Sequence, residues 1–161
     1  IAKGHSRSVV IQPRTIHNNV DITNLVPFKL CKTELIINLK IGEQRPAKFG
    51  IKLSNGLNEN LIAGYDNTTG QLFVDRTQSG KIGASKDLPA VVTAPCKLDN
   101  NIVQLHILLD EASIEIFAQQ GKVVVTNIFF PSQPYSKLSF FSEKGTVKAT
   151  GIKIWELAKA M

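Results

Sequence analysis

Between residues 105 and 131 the apolar positions recur at every second residue, a period that only an extended chain turns to one side. Leu105, Ile107 and Leu109 share one face of the first segment, while Gln104, His106 and Leu108 share the other. Asp110-Glu111-Ala112 then forms a compact turn, whose aspartate is able to bond the backbone two residues on. Beyond it Ile114 and Ile116 fall on one face, with Ser113, Glu115 and Phe117 on the other. Gln119-Gln120-Gly121 closes a second hairpin, with a glycine available where φ must be positive. The β-branched run 123–128 supplies a third strand, so a three-stranded meander is predicted.

The same alternation recurs along most of the chain. Leu35, Ile37, Leu39 and Ile41 alternate with more polar neighbours, as do Phe49, Ile51 and Leu53. Residues 61–66 and 72–75 pair naturally through a four-residue hairpin loop ending in Gly70. Strands are also predicted at 138–141 and 147–157, separated by a turn at 142–145, with Gly151 as a bulge in the second. Residues 80–95 form the longest stretch without a period and predict an irregular surface excursion holding one short strand at 90–93. Residues 1–25 also lack a clean period, apart from a short strand at 9–11. They are read as a linker or N-terminal extension leading to a sandwich domain over 26–161. About ten strands, no amphipathic helix and turns every eight to twelve residues predict an all-β fold, a two-sheet antiparallel β-sandwich.

At 161 residues the chain has the length of one domain and enough residues to bury a core. Its first residue is Ile rather than Met, and no signal-like segment opens it, so a processed chain or a piece of a longer one is expected. The net charge of +6 does not point to nucleic acid, because Lys and Arg are scattered through nearly every segment with no dense basic run. Lysines at strand edges serve instead to discourage edge-to-edge association. No apolar run reaches membrane-spanning length, so no membrane partner is expected. Cys31 and Cys96 lie too far apart for metal or redox spacing, and the sequence is compatible with one bridge or two free thiols.

Two blocks carry a family resemblance. The first is Asp110-x-x-Ser113-Ile114-Glu115-Ile116-Phe117, followed by a glycine hairpin and a strand ending in Phe-Pro; the second is Asp75-Arg76-Thr77-Gln78-Ser79-Gly80. With the Asp75 block ahead of the Asp110 block along the chain, they resemble the C-terminal β-sandwich domain of glycoside hydrolase family 32, which includes levanases, invertases, inulinases and sucrose-6-phosphate hydrolases. The resemblance covers about residues 28–157. It implies a lectin-like jelly roll, and an upstream five-bladed propeller of the same polypeptide as the partner. That propeller would hold the catalytic residues, a nucleophilic Asp in an Asn-Asp-Pro context and an acid/base Glu in a Glu-Cys context, with a third Asp in Arg-Asp-Pro. This pair matches the two-carboxylate chemistry of retaining glycosidases. None of the three motifs occurs here and no Asp precedes Pro, so the chain by itself is expected to be no enzyme and to need no cofactor or metal.

Within the chain, a triad of His106 with Ser113 and Asp110 is suggested only by proximity, without a nucleophile elbow. The plainer reading of His106 is a partly exposed strand histidine. Acidic density occurs only at Asp110, Glu111 and Glu115, a weak motive for calcium. Arg76 leaves the sheet where a turn begins and, if buried, needs a partner, for which Glu115 or Asp110 is expected. Asp75, Arg76, Thr77, Ser79, Asp110, Ser113, Glu115 and Phe117 are therefore read as structural or domain-interface residues. Tyr135, in a Pro-flanked loop, is the aromatic most expected to be exposed and to touch a sugar. The reading that follows is a non-catalytic module that stabilises or orients a propeller, and its alternative is a module that tethers the enzyme to fructan, levan or inulin. Cysteine usage does not choose a compartment; the reading favours a periplasmic or extracellular protein over a cytoplasmic one.

Overall fold

The computed structural model describes residues 5–81 and 89–157. Among the described residues there are eleven strands, one 3-10 turn at Thr23–Leu25 and no α-helix. All pairings are antiparallel, in the order β10-β9-β8-β3-β11-β4-β5-β6-β7 with β1 and β2 also on β11. The strands are β1 His5–Ile11, β2 Arg14–Asp21, β3 Thr33–Ile41, β4 Lys48–Ser54 and β5 Asn60–Asp66. They continue with β6 Gln71–Asp75, β7 Val91–Pro95, β8 Ile102–Leu109, β9 Ser113–Ala118, β10 Val123–Ile128 and β11 Lys137–Leu157.

The last strand organises the rest. Residues 137–142 of β11 pair with β4, whereas 147–156 pair with β3, so one strand serves two sheets. Its other edge is taken by β2 along 139–149 and by β1 along 152–157. One sheet is therefore β1, the C-terminal half of β11, β3, β8, β9 and β10; the other is β2, the N-terminal half of β11, β4, β5, β6 and β7. At the far side β10 runs beside β7, which nearly closes the sandwich into a barrel.

Alternation places the core as expected. Thr33, Leu35, Ile37, Leu39 and Ile41 of β3 face inward with Val103, Leu105, Ile107 and Leu109 of β8, and Ile114 and Ile116 of β9 extend the row. Burial of side chains of this size contributes about 1.5–3 kcal/mol each. The bulge at Gly151 is present: φ is +60°, the register to β3 slips between Thr150 and Lys153, and the buried set changes from Val147 and Ala149 to Ile152 and Ile154.

Two expectations change. The predicted turn at 142–145 does not end a strand, because β11 continues through a register shift between Ser142 and Thr146, where the Ser142 hydroxyl donates to the Gly145 carbonyl at 2.8 Å. The local Ser, Lys and Gly do bend the chain, with Lys144 at a φ of +66°, but residues 143–145 bulge out between Ser142 and Thr146, which pair with adjacent residues of β2, so the strand resumes beyond them. Second, the stretch expected to be a linker or extension belongs to the sandwich: the short strand expected at 9–11 is present as the end of a longer β1, β2 follows it, and Ile11, Ile16 and Ile22 join the core. Their period is invisible in sequence because Ile16 alone is buried in β2. Of the irregular stretch, the short strand is present as β7, and residues 82–88 lie outside the described ones. Cys31 and Cys96 are free thiols, and burial pushes the Cys96 thiol up.

Candidate functional site

The Asp75 to Gly80 block forms the turn leaving β6. The Asp75 carboxylate accepts from the Thr77 amide at 2.9 Å, and the Ser79 amide donates to the Arg76 carbonyl at 2.9 Å. Arg76 has no solvent exposure. Its amide donates to the Ala90 carbonyl at 2.8 Å and its Nε to the Pro89 carbonyl at 3.0 Å, so the buried cation fastens the start of β7 to the turn. The expected ion pair with Glu115 or Asp110 is not formed. Among the described residues the ion pairs are Arg7 with Glu156 and Glu34 with His106, and β9 lies in the opposite sheet from β6.

What the turn supports is the loop 129–136 between β10 and β11. Gly80 passes directly against it, with a φ of +136° and room for no side chain, since a Cβ would lie 2.3 Å from the Phe130 carbonyl oxygen. The next amide, of Lys81, donates to that same oxygen at 2.9 Å. The Tyr135 hydroxyl donates to the Ser79 carbonyl at 2.7 Å, and its ring packs on Phe129 with centroids 5.6 Å apart. Glu59 accepts from the Ser132 amide at 2.7 Å and hydroxyl at 2.8 Å, while Asn55 Nδ2 donates to the Gln133 carbonyl at 3.0 Å. Hydrogen bonds, that from Asn55 foremost, hold the Glu59 carboxyl below the usual range, and burial pushes the Tyr135 hydroxyl above its own. Tyr135, expected to be exposed, is thus buried; the exposed aromatic of this loop is Phe130, at 37%.

The loop forms one wall of a groove of about 800 Å³. Val26, Phe28 and Leu30, before β3, form the second wall, and the β8–β9 turn with Asp110, Glu111 and Ala112 forms the third. The turn is tied to the loop because the Phe129 amide donates to the Ala112 carbonyl at 3.0 Å, and Asp110 closes it by donating its amide to the Ser113 carbonyl at 2.9 Å. The interior is mainly apolar, with Lys29, Asp110 and Glu111 as charged groups on its lining. This groove lies beside the point where the chain enters the fold. In β1 the Arg7 guanidinium binds Glu156 at 2.9 Å, donates to the Pro27 carbonyl at 3.1 Å and stands 5.8 Å over the Phe28 ring.

The remaining sequence-derived residues lie elsewhere. Glu115 and Phe117 point outward from β9, and Ser113 starts that strand. Phe117 packs against His106, with centroids 5.9 Å apart. His106 Nε2 is hydrogen-bonded to Glu34 of β3, so His106, Ser113 and Asp110 do not assemble as a triad. Glu34 was not singled out from sequence, and its only signal there is the outward parity it shares with His106 once β3 and β8 are in register. Among the described residues no three metal-ligating side chains cluster, and no helix is long and apolar enough to cross a membrane. The groove thus joins Asp110 and, through the supporting turn, Asp75, Arg76, Thr77 and Ser79, whereas Glu115 and Phe117 stand on a separate sheet face.

Comparison with known proteins agrees with this architecture. The profile described as "Glycosyl hydrolases family 32 C terminal" matches residues 4–156. A levanase of Bacillus subtilis (strain 168) is 33% identical over 132 residues, covering 78% of this chain and 19% of the relative. An extracellular exo-inulinase of Aspergillus awamori is 30% identical over 109 residues, covering 67% of this chain and 20% of the relative. The chain therefore spans about a fifth of the length of these relatives. Among solved structures, the A. awamori exo-inulinase superposes with a TM-score of 0.74 at 24% identity, over 98% of this chain and 30% of that one. Fructan 1-exohydrolase IIa of Cichorium intybus superposes with a TM-score of 0.77 at 15% identity, over 97% of this chain and 36% of that one.

Proposed function

The chain belongs to glycoside hydrolase family 32, of whose enzymes it forms the C-terminal domain, and on that premise we propose that it is a non-catalytic module that docks, stabilises and orients an upstream catalytic propeller. The observation that carries this reading is the position of the groove. It is apolar, its rim is fixed by the family's Asp-Arg-Thr-x-Ser-Gly turn, and it adjoins the strand through which an upstream domain would connect. An exposed Phe130 over an apolar floor gains by being covered, at about 25 cal/mol per Å² of apolar surface removed from water. The interior matches what a covalently attached neighbour needs, since tethering removes most of the entropic cost of association.

The parent enzyme, on this reading, hydrolyses β-fructosidic bonds in sucrose or fructan with carboxylates that this chain does not supply. Relatives named extracellular support export of the parent.

Two measurements test the proposal. The purified chain releases no fructose from sucrose, inulin or levan; turnover by it sinks the non-catalytic reading. Joined behind a family 32 propeller, the chain raises the melting temperature of that propeller, and Phe130→Glu removes the gain while leaving the melting of the isolated chain unchanged. A propeller that melts at the same temperature with and without the module refutes docking.

A further inference from the structure

The outward face of the β3–β8–β9 sheet carries a second depression, of about 450 Å³, on the opposite side of β8 from the groove. Its floor is Ile36, Leu108 and Phe117, all half-buried, and its rim is Gln104, His106 and the Gln120–Gly121 turn. His106 is fixed twice, by its Nε2 bond to Glu34 and by the Phe117 ring, yet its side chain remains 40% exposed.

The distal lip is held under backbone strain. Gln119 and Gln120 have φ values of +52° and +61°, conformations that cost non-glycine residues of order 1 kcal/mol or more. Gln119 secures the turn from inside: its side chain accepts from the Gln104 amide at 2.8 Å and donates to the Ile102 carbonyl at 3.1 Å. A turn fixed in this way holds Gln120 at the edge of the depression without adaptation on binding. The lip also lies away from the chain entry. From Leu109, at the groove, to Gln104 is five strand residues, roughly 17 Å, so a domain seated in the groove leaves this lip open.

The Phe117 ring and two aliphatic side chains below, with amides and an imidazole–carboxylate pair around them, suit a ligand whose rings have apolar C–H faces and a hydroxyl periphery. We propose that this depression is a binding site for a fructosyl oligosaccharide, distinct from the docking groove. The choice of fructose units rests on the reading above that the parent acts on fructan; the position and chemistry of the site do not.

The experiment is a nuclear magnetic resonance titration of the chain with short inulin-type and levan-type fructo-oligosaccharides, with maltotriose as control. The expected result is saturable perturbation of amides around His106, Phe117 and Gln120, half-saturating at millimolar sugar. Phe117→Ala and, as a change that leaves the sheet face intact, Gln120→Ala each weaken it at least threefold, the former at least tenfold. Phe130→Ser in the groove leaves it unaltered. Absence of saturation, perturbation centred on the groove, an equal response to maltotriose, or self-association through this face each overturns the site. Failure here leaves the propeller-melting test untouched, because that test reads the groove, with which this depression shares no lining residue.

Discussion

Replacing Gly80 by alanine tests the close approach of the signature turn to the 129–136 loop. The added Cβ meets the Phe130 carbonyl oxygen at 2.3 Å, the Pro131 Cα at 2.7 Å and the Phe130 carbonyl carbon at 2.9 Å. All three are backbone atoms, so no side-chain rotation relieves the contact, and the loop must retreat by about 1 Å to reach ordinary van der Waals separation. That movement strains or breaks the Lys81 bond to the Phe130 carbonyl and the Tyr135 bond to the Ser79 carbonyl. Each is worth about 0.5–1.5 kcal/mol. The positive φ adds about 1–3 kcal/mol for a residue with a Cβ. The expected loss is therefore about 4 kcal/mol, a large share of the about 5–15 kcal/mol of a typical domain.

Gly121 supplies the control. Its φ of +87° is also unfavourable to alanine, but a Cβ there meets nothing within 4 Å. Gly121→Ala should cost only the backbone contribution, about 1–2 kcal/mol. Urea unfolding of the two variants measures the difference, and thermal unfolding should place Gly80→Ala about 10 °C below the parent chain. If Gly80→Ala loses no more stability than Gly121→Ala, the close approach of the turn to the 129–136 loop does not determine the groove, and the argument fails.

Two further outcomes follow from the same loop. Tyr135→Phe removes a buried donor and leaves the Ser79 carbonyl without it, for an expected loss of about 1–3 kcal/mol with little change in the urea dependence; a variant as stable as the parent rejects the bond as a fastener. Glu59 has its pKa lowered by the bonds from Asn55 and Ser132, so the stability it contributes is fully present above the ordinary glutamate range and is lost as pH falls through the folded value. Glu59→Gln should therefore be less stable than the parent at neutral pH, and the gap should begin to narrow once pH falls below the ordinary glutamate range and close as it passes the lowered folded value. A gap that stays constant from pH 7 to pH 3 excludes the charged form of Glu59 as the latch.

The residues by themselves determined which positions face the core. Alternation at period two is a property of the extended backbone alone, so Leu35 to Ile41, Leu105 to Leu109 and Ile114 with Ile116 were assignable without knowing their neighbours. Gly151 was legible for the same reason, since a glycine that interrupts alternation marks a bulge wherever it lies. Only the tertiary structure decided that β11 serves both sheets, that β1 reaches back to His5 and β2 is a strand, that Arg76 fastens Pro89 and Ala90 rather than pairing with Glu115, and that Glu34 reaches His106. Each of those depends on a partner supplied by a distant part of the chain. The groove belongs with them: its walls come from residues near 28, 110 and 130, which no local pattern joins and which meet only because three strand ends finish at the same edge of the sandwich.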